Sequence, residues 1–294
     1  MDAVPPDDQI GGGTAPAHLC GHDLHTTIGI GVAESLARGR RRLSGRVMFV
    51  FQPAEETLSG AAAMFADGVF ATIRPSEIHA LHCFAMPVGR FVTTAGFGLP
   101  GRDRGVAVTG SDEEAAAVAA ALNGLSTVAR PATPADLERL VNDVLTPHGP
   151  LERFVFVQAR AADSQVQVTF RCWPEERYRD VRESIRALAP TVVFPSDPFP
   201  AMVTPEREGH ALQRFLNALP AYGSIPFSGE DFALFLNEMP GTYTFLGVRR
   251  PGAPIETSYP HFATFDPDER AIGHGVRAMT SWLTHRAAMT GITR

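Results

Sequence analysis

Between residues 23 and 38 the apolar positions Leu24, Ile28, Ile30, Val32 and Leu36 recur at close to helical spacing, which predicts a helix. The next apolar run, residues 46–51 (RVMFVF), is short and rich in β-branched and aromatic residues. It ends at Gln52-Pro53 and predicts a buried strand followed by a loop. A helix over 59–67 and a strand over 77–83 (EIHALHC) follow. Strands alternating with helices argue for an α/β sheet, whose ligand sites collect where strands end and loops begin. The middle of the chain has another texture. Helices are predicted over 112–125, 134–145 and 177–188, and two alternating runs within 154–170 (FVFVQA and QVQVTF) predict an antiparallel hairpin. Proline-rich borders, the second being FPSDPFP, delimit this α+β insert to residues 101–198. A helix over 208–219, a segment at 228–236, a strand over 243–248 and a helix after Asp268 then resume the α/β texture, giving a division into 1–100, 101–198 and 199–294.

Composition removes several function classes. With 294 residues, 44% of them hydrophobic and 20% charged, the chain has the balance of a globular protein, which excludes disordered and collagen-like classes. Acidic and basic residues are mixed to a net charge of −6, so no basic stripe exists to neutralise a phosphate backbone, and a nucleic-acid partner is not expected. No apolar run approaches the ~20 residues of a membrane helix. Met1 leads into Asp2, Asp7 and Asp8 instead of a basic and then apolar leader, and the expected compartment is the cytoplasm. Cys20, Cys83 and Cys172 are odd in number and far apart, which speaks against a disulfide framework.

Candidate chemistry gathers at four places. His18, Cys20, His22, Asp23 and His25 crowd into eight residues at the mouth of the first helix. Thiolate and imidazole are preferred ligands of zinc and its first-row neighbours, and a two-residue spacing in a loop lets both face one ion. Singly, each residue has a plain structural use, and Asp23 is also a helix-start residue. Together they would be costly to desolvate without a ligand. Asp23 could alternatively orient a metal-bound imidazole of His22. Glu55 and Glu56 stand directly after the RVMFVF run, where one carboxylate can bind a cation while its neighbour takes a proton from water. A solvated loop with two acids is the bland alternative. His79 and His82 lie three apart in a predicted strand, on opposite faces, so only one can face a shared site. His261 precedes the last helix in SYPHFATFDPDE.

In this order HLCGHDLHTT, QPAEET followed by GAAAM, ALHCFAMPVGR, SGEDFALFLNEMPGTYTFLG and HFATFDPDE resemble the co-catalytic zinc aminohydrolases typified by aminoacylases, hippurate hydrolases and indole-acetyl-amino-acid hydrolases. Five ordered motifs spanning residues 18–269 are far more specific than any one alone. The resemblance implies a zinc-exopeptidase-like α/β fold, with a central, mostly parallel mixed sheet flanked by helices. It also implies that 1–100 and 199–294 form the catalytic domain, interrupted by a smaller α+β lid or dimerisation domain at 101–198. The implied activity is hydrolysis of the amide bond of N-acyl amino acids or small peptides by water activated on two divalent ions, zinc first, with Mn, Co or Ni as alternatives. A homodimer through the lid is implied too. Position by position, the family's metal ligands fall on Cys20, His22, Glu56, His82 and His261, and its general base on Glu55. Arg171 in VTFRCW matches a lid arginine that meets substrate, a solvated strand end being its bland reading, and Glu230 and Asp231 match a supporting Glu-Asp-Phe segment.

The chain also departs from that pattern. Relatives usually begin some tens of residues earlier, with a strand whose end resembles the opening MDAVP. Their lid carries a Gly-Gly-His segment, whereas VAVTGSDEEAAAVAAAL has no His, and none occurs between Cys83 and His148. An Asn-containing segment is not recognisable around 157–164, and Ala263 stands where a Pro is usual. Loss of an oxyanion donor costs ~10²–10³ in rate. A metal-binding homologue without turnover, and an amide-forming or amide-transferring biosynthetic enzyme, therefore stand as competing readings.

Overall fold

In a computed structural model, residues 2–40 and 43–290 are described, and Met1 lies outside them. The first predicted helix is α1 (His22–Arg38), which buries Leu24, Ile28, Val32 and Leu36 on one stripe. Helix α2 (Gly60–Ala66) follows, then β1 (Ile78–Pro87), β2 (Phe91–Thr93) and the short β3 (Gly98–Leu99). The middle segment supplies β4 (Asp103–Val108), α3 (Asp112–Asn123), α4 (Pro134–Val144), β5 (Phe154–Ala162), β6 (Gln165–Trp173) and α5 (Arg177–Leu188). The remainder is β7 (Met202–Val203), α6 (Glu206–Leu216), β8 (Leu219–Pro220), α7 (Phe232–Glu238), β9 (Gly241–Arg249) and α8 (Arg270–Thr290).

The main sheet has the order β1-β9-β2-β8. β1 runs parallel to β9, and β2 parallel to β8, while β2 and β9 are antiparallel. β9 is buried along nearly its whole length, as a central strand covered on both faces should be. One side of the sheet packs on α1, α6 and α8 through Leu24, Ile28, Leu212, Leu246, Val248 and Trp282. The other side packs Phe84, Tyr243 and Phe245 against α2, α4 and α7.

A second sheet, β4-β6-β5, is antiparallel throughout and carries α3 and α5, with Val166, Val168, Phe170, Leu122 and Ile185 in a core of its own. Helix α4, although flanked by this unit in sequence, buries Leu137, Leu140, Val141 and Val144 with the main-sheet residues. Asp103, buried at the start of β4, receives Arg182 of α5 through two hydrogen bonds of 2.6 and 3.0 Å.

One expected element does not form. Residues 46–51 run extended but pair with no strand, and no backbone hydrogen bond among the described residues involves them. Val47 and Phe49 pack on the α1–α8 side, while Met48 and Phe51 are exposed. An apolar run becomes a strand only if a neighbour accepts its ladder, and β1, the adjacent edge, pairs with β9 alone. No helix of the described residues is long and apolar enough to cross a membrane.

Candidate metal centre

The site begins at Gly21. It caps α1 with φ 79°, and a Cβ there would meet Cys83 Sγ at 2.5 Å. Glycine thus makes the tight turn that brings Cys20 and His22 to one side. The thiol of Cys83 donates to the carbonyl of Cys20 (3.2 Å), and the Cys83 amide donates to His25 Nε2 (2.9 Å), so the turn is clamped against β1.

The loop carrying Glu55 and Glu56 is held from three sides. Gln52 Nε2 donates to Asp231 Oδ1, Ala61 N donates to Asp231 Oδ2 (2.9 Å), and Glu56 N donates to Asp2 Oδ2 (2.8 Å). Ala54 and Leu58 take left-handed backbone angles (φ 54° and 56°) within it, as does His261 (φ 72°) on its own loop. Non-glycine residues persist in that region only where surrounding contacts over-determine them. For His261 those contacts are its N–H to Leu19 O and its carbonyl accepting from Ile10 N, each at 2.7 Å.

The structure brings Cys20, His22, Glu55, Glu56, His82 and His261 into one cluster. Cys20 Sγ lies 3.5 Å from His82 Nε2, and His22 Nε2 lies 3.5 Å from Glu55 Oε2. Glu56 reaches His22 with Oε1 (3.9 Å) and His261 with Oε2 (3.4 Å). Two donor trios, Cys20–His22–His82 and Cys20–Glu56–His261, share the sulfur. His79 faces away, its Nδ1 meeting Thr242 Oγ1 (2.9 Å) and Trp282 Nε1 (3.3 Å).

The donor set fits a divalent-cation centre on three observations. His82 Nδ1 is 2.8 Å from the Cys83 carbonyl and His261 Nδ1 is 3.2 Å from the Asp8 carbonyl. Each Nδ1 must donate there, which leaves the Nε2 lone pairs directed into the cluster. Glu56 Oε1 is buried with no hydrogen-bond partner. Burial also drives every member towards its uncharged form. It raises the Cys20 thiol well above its ordinary value and takes Glu56 to about 7, with Asp2 and Asp8 adding to the latter. It lowers His22 and His261, and brings His82 to about 3. A bound cation favours thiolate, carboxylate and neutral imidazole together, which no side chain of the cluster does.

Glu55 is raised well above the carboxylate range by burial and then by the charges of Glu230 and Glu56. Glu230 itself accepts from Tyr243 Oη (2.9 Å) and Phe232 N (3.0 Å). Asp231 and Glu230 therefore flank the glutamate loop. Among the described residues Asp23 makes no side-chain hydrogen bond to the His22 imidazole, and its Oδ1 is buried without a hydrogen-bond partner. His18 is exposed, with Nδ1 3.2 Å from Asp2 O. Arg171 is not a solvated strand end: its Nη1 donates to the carbonyls of Pro100 and Gly101.

A cavity of about 190 Å³ opens on Cys20, Glu55, Glu56, His82 and His261. A larger one, about 420 Å³, meets it at Glu55, Glu230 and Tyr243 and continues between α1, α8 and residues 46–52. The smaller is lined by five of the six cluster members, and His22 lines the larger one. Residue-level reading of the sequence missed Asp2, Asp8, Tyr243, Arg102 and Arg130 around these cavities. Nothing in their local spacing marks them.

A helix-flanked sheet with thiolate, imidazole and carboxylate donors converging at one cavity defines a metal-dependent hydrolase of amide bonds. The chain belongs to Peptidase family M20/M25/M40, whose description matches residues 1–285. It is 27% identical to the N-acetyldiaminopimelate deacetylase of Enterococcus faecalis over 292 residues, 90% of this chain and 74% of that one. It is 28% identical to the enzyme of that name from Bacillus pumilus over 301 residues, 92% and 75% of the two chains. Among solved structures, the Bacillus subtilis YXEP protein, described as a dinuclear metal binding peptidase from the M20 family, superposes with a TM-score of 0.65 at 22% identity over 98% of this chain and 80% of its own. A putative aminohydrolase from methicillin resistant Staphylococcus aureus superposes at 0.68, with 18% identity over 96% and 78%.

Proposed function

We propose that the protein hydrolyses the amide bond of small N-acyl amino acids, an N-acetyl group being the acyl portion suggested by the names of its relatives. The observation that carries this reading is Glu55, a buried carboxylate 3.5 Å from His22 and beside the Cys20–Glu56–His261 trio. Cys20, His22, Glu56, His82 and His261 would hold two divalent ions, zinc by the softness of a thiolate–imidazole–carboxylate set. When bound, such ions lower the pKa of water towards ~7 and polarise a carbonyl oxygen. Glu55 accepts the proton of the attacking water and delivers it to the leaving amine, a task suited to a carboxylate whose proton affinity is raised by burial. Glu230 and Tyr243 hold the wall behind Glu55, and Asp231 fixes the loop that carries it.

Residues 101–198 are read as a lid inserted between the catalytic parts 1–100 and 199–294. A homodimer through this unit is part of the proposal. It is supported by exposed Val106 and Val108 on edge strand β4 and by Val193 beside them.

Metal content of the purified protein and turnover of N-acetyl amino acids, with and without chelator, test the reading. Two metal equivalents and chelator-sensitive hydrolysis are expected. Glu55→Gln should keep its metal and lose about 10²–10⁴-fold in kcat. Metal without turnover in the unaltered protein would favour the silent homologue.

A further inference from the structure

The crowded segment at the mouth of α1 supplies two of the donors, Cys20 and His22, and one histidine for which the centre has so far no use, His25. His25 follows His22 by three residues, so both rings leave α1 on the same side, with centroids 5.7 Å apart. The His82 ring, carried by β1, lies 4.4 Å from His25 and 6.0 Å from His22. His25 therefore stands against both imidazoles of the Cys20–His22–His82 trio, which come from separate elements. It also reaches the strand itself. β1 pairs with β9 alone, so an amide on its other edge has no ladder partner. The amide of Cys83, the residue directly after His82, is such a donor, and His25 Nε2 accepts from it at 2.9 Å. Cys83 is tied to the turn a second time by its thiol, which donates to Cys20 O at 3.2 Å.

An imidazole nitrogen that accepts an N–H has its lone pair engaged, so the ring proton is on Nδ1 and Nε2 is not open to a cation. We propose that His25 is a positioning residue of the metal centre. It sets the separation of His22 and His82 by holding the backbone of β1 against the first turn of α1, and it does not ligate the cation. Metal affinity depends on donor positions to a few tenths of an ångström, and donors on two elements keep those positions only if the elements are tied to each other. The Cys83 amide and the His25 ring make that tie one residue away from each of the positions it must fix in β1 and one turn away in α1. The inference rests on the metal-centre part of the reading above and not on hydrolysis.

The test is titration of the full chain, stripped of metal by chelator, with Co²⁺, read by the visible absorption that thiolate and imidazole ligation gives to that ion. His25→Phe keeps a ring and removes the acceptor, whereas His25→Gln places an amide oxygen close to the position of Nε2. His25→Phe should bind one Co²⁺ roughly 10–100-fold more weakly, the usual cost of removing a group that supports a ligand, and should show an altered spectrum. Its Cys83 amide should exchange with solvent faster. His25→Gln should restore affinity, spectrum and amide protection to those of the unaltered protein. Should His25→Phe fail to fold, His25→Asn, one carbon shorter than Gln, replaces it in the comparison. Unchanged Co²⁺ affinity and spectrum in the variant without the acceptor would overturn the assignment. So would a His25→Gln protein as weak as that variant, because the cation would then need the ring nitrogen itself. An unaltered protein that takes up no Co²⁺ would remove the metal-centre reading together with the inference, whereas full uptake by every variant would remove the inference alone.

Discussion

Replacing Asp231 by Ala removes the clamp on the loop that carries Glu55 and Glu56. Asp231 is 0% exposed. Its two oxygens accept from Gln52 Nε2 at 2.5 Å and Ala61 N at 2.9 Å. These donors bracket residues 53–59, where Ala54 and Leu58 hold left-handed angles that the loop would relax if freed. Hydrogen bonds to a charged acceptor are worth roughly 1.5–3 kcal/mol each, and they are not additive, so a total of about 3–5 kcal/mol is expected for the variant. In a chain of this size that corresponds to a melting temperature lower by roughly 6–12 °C. Glu55 and Glu56 would also be released together, so metal retention and turnover should fall in parallel. Asp231→Asn, which keeps the shape and one acceptor, should lie between. The assay is thermal unfolding of both variants beside metal content per chain. A Asp231→Ala protein that melts within a degree of the unaltered one, with full metal and turnover, would refute the clamp.

Two further outcomes follow from groups at the edges of the site. Burial works against Glu77, but hydrogen bonds with His79 and Arg286 more than reverse it and hold the carboxyl at about 2 instead of 4.5. A depressed carboxylate stabilises the fold above pH ~4.5, and the contribution is lost as pH falls towards ~2; at neutral pH it amounts to about 3 kcal/mol at most. Urea unfolding should therefore separate Glu77→Gln from the unaltered protein at pH 7, with the gap roughly halved near pH 3 and closing towards pH 2, whereas a gap independent of pH would contradict the linkage. Gly21→Ala must place a methyl group 2.5 Å from Cys83 Sγ at φ 79°, a conformation that costs an L-residue about 1–2 kcal/mol. Weaker metal loading with a lower melting temperature is expected, and normal loading would show that the Cys20–His22 turn tolerates a side chain.

Helices and strands whose pattern is closed within a single segment were legible. The stripe Leu24, Ile28, Val32 and Leu36 has one solution as a helix, and FVFVQA with QVQVTF can satisfy each other as a hairpin. RVMFVF was not legible, because its β character depends on a neighbour, and the β1 edge beside it gives no ladder. The helix at Pro134–Val144 shows the same limit from the other side. Its periodicity predicts the element, but not that Leu137 and Val141 bury with the main-sheet cluster instead of the second sheet that flanks them in sequence.

The donor residues stood out because Cys, His and paired Glu are poor packing material, and their crowding has few other uses. Whether a charged side chain is committed or open has no such local mark. Arg171 sits in a motif that suggests contact with substrate, and the carbonyls of Pro100 and Gly101, arriving within 3.2 and 3.1 Å from seventy residues away, hold its Nη1. Arg102 is the very next residue after that carbonyl pair, in a stretch of sequence with no distinguishing spacing, and it lines the cavity while its backbone pairs with Phe199. The same is true of Asp2, whose carboxylate finds the Glu56 amide across 54 positions. Residue type fixes what chemistry a site can do, but the arrival of backbone groups from remote segments fixes which charges remain to do it, and that second selection is made only by the fold.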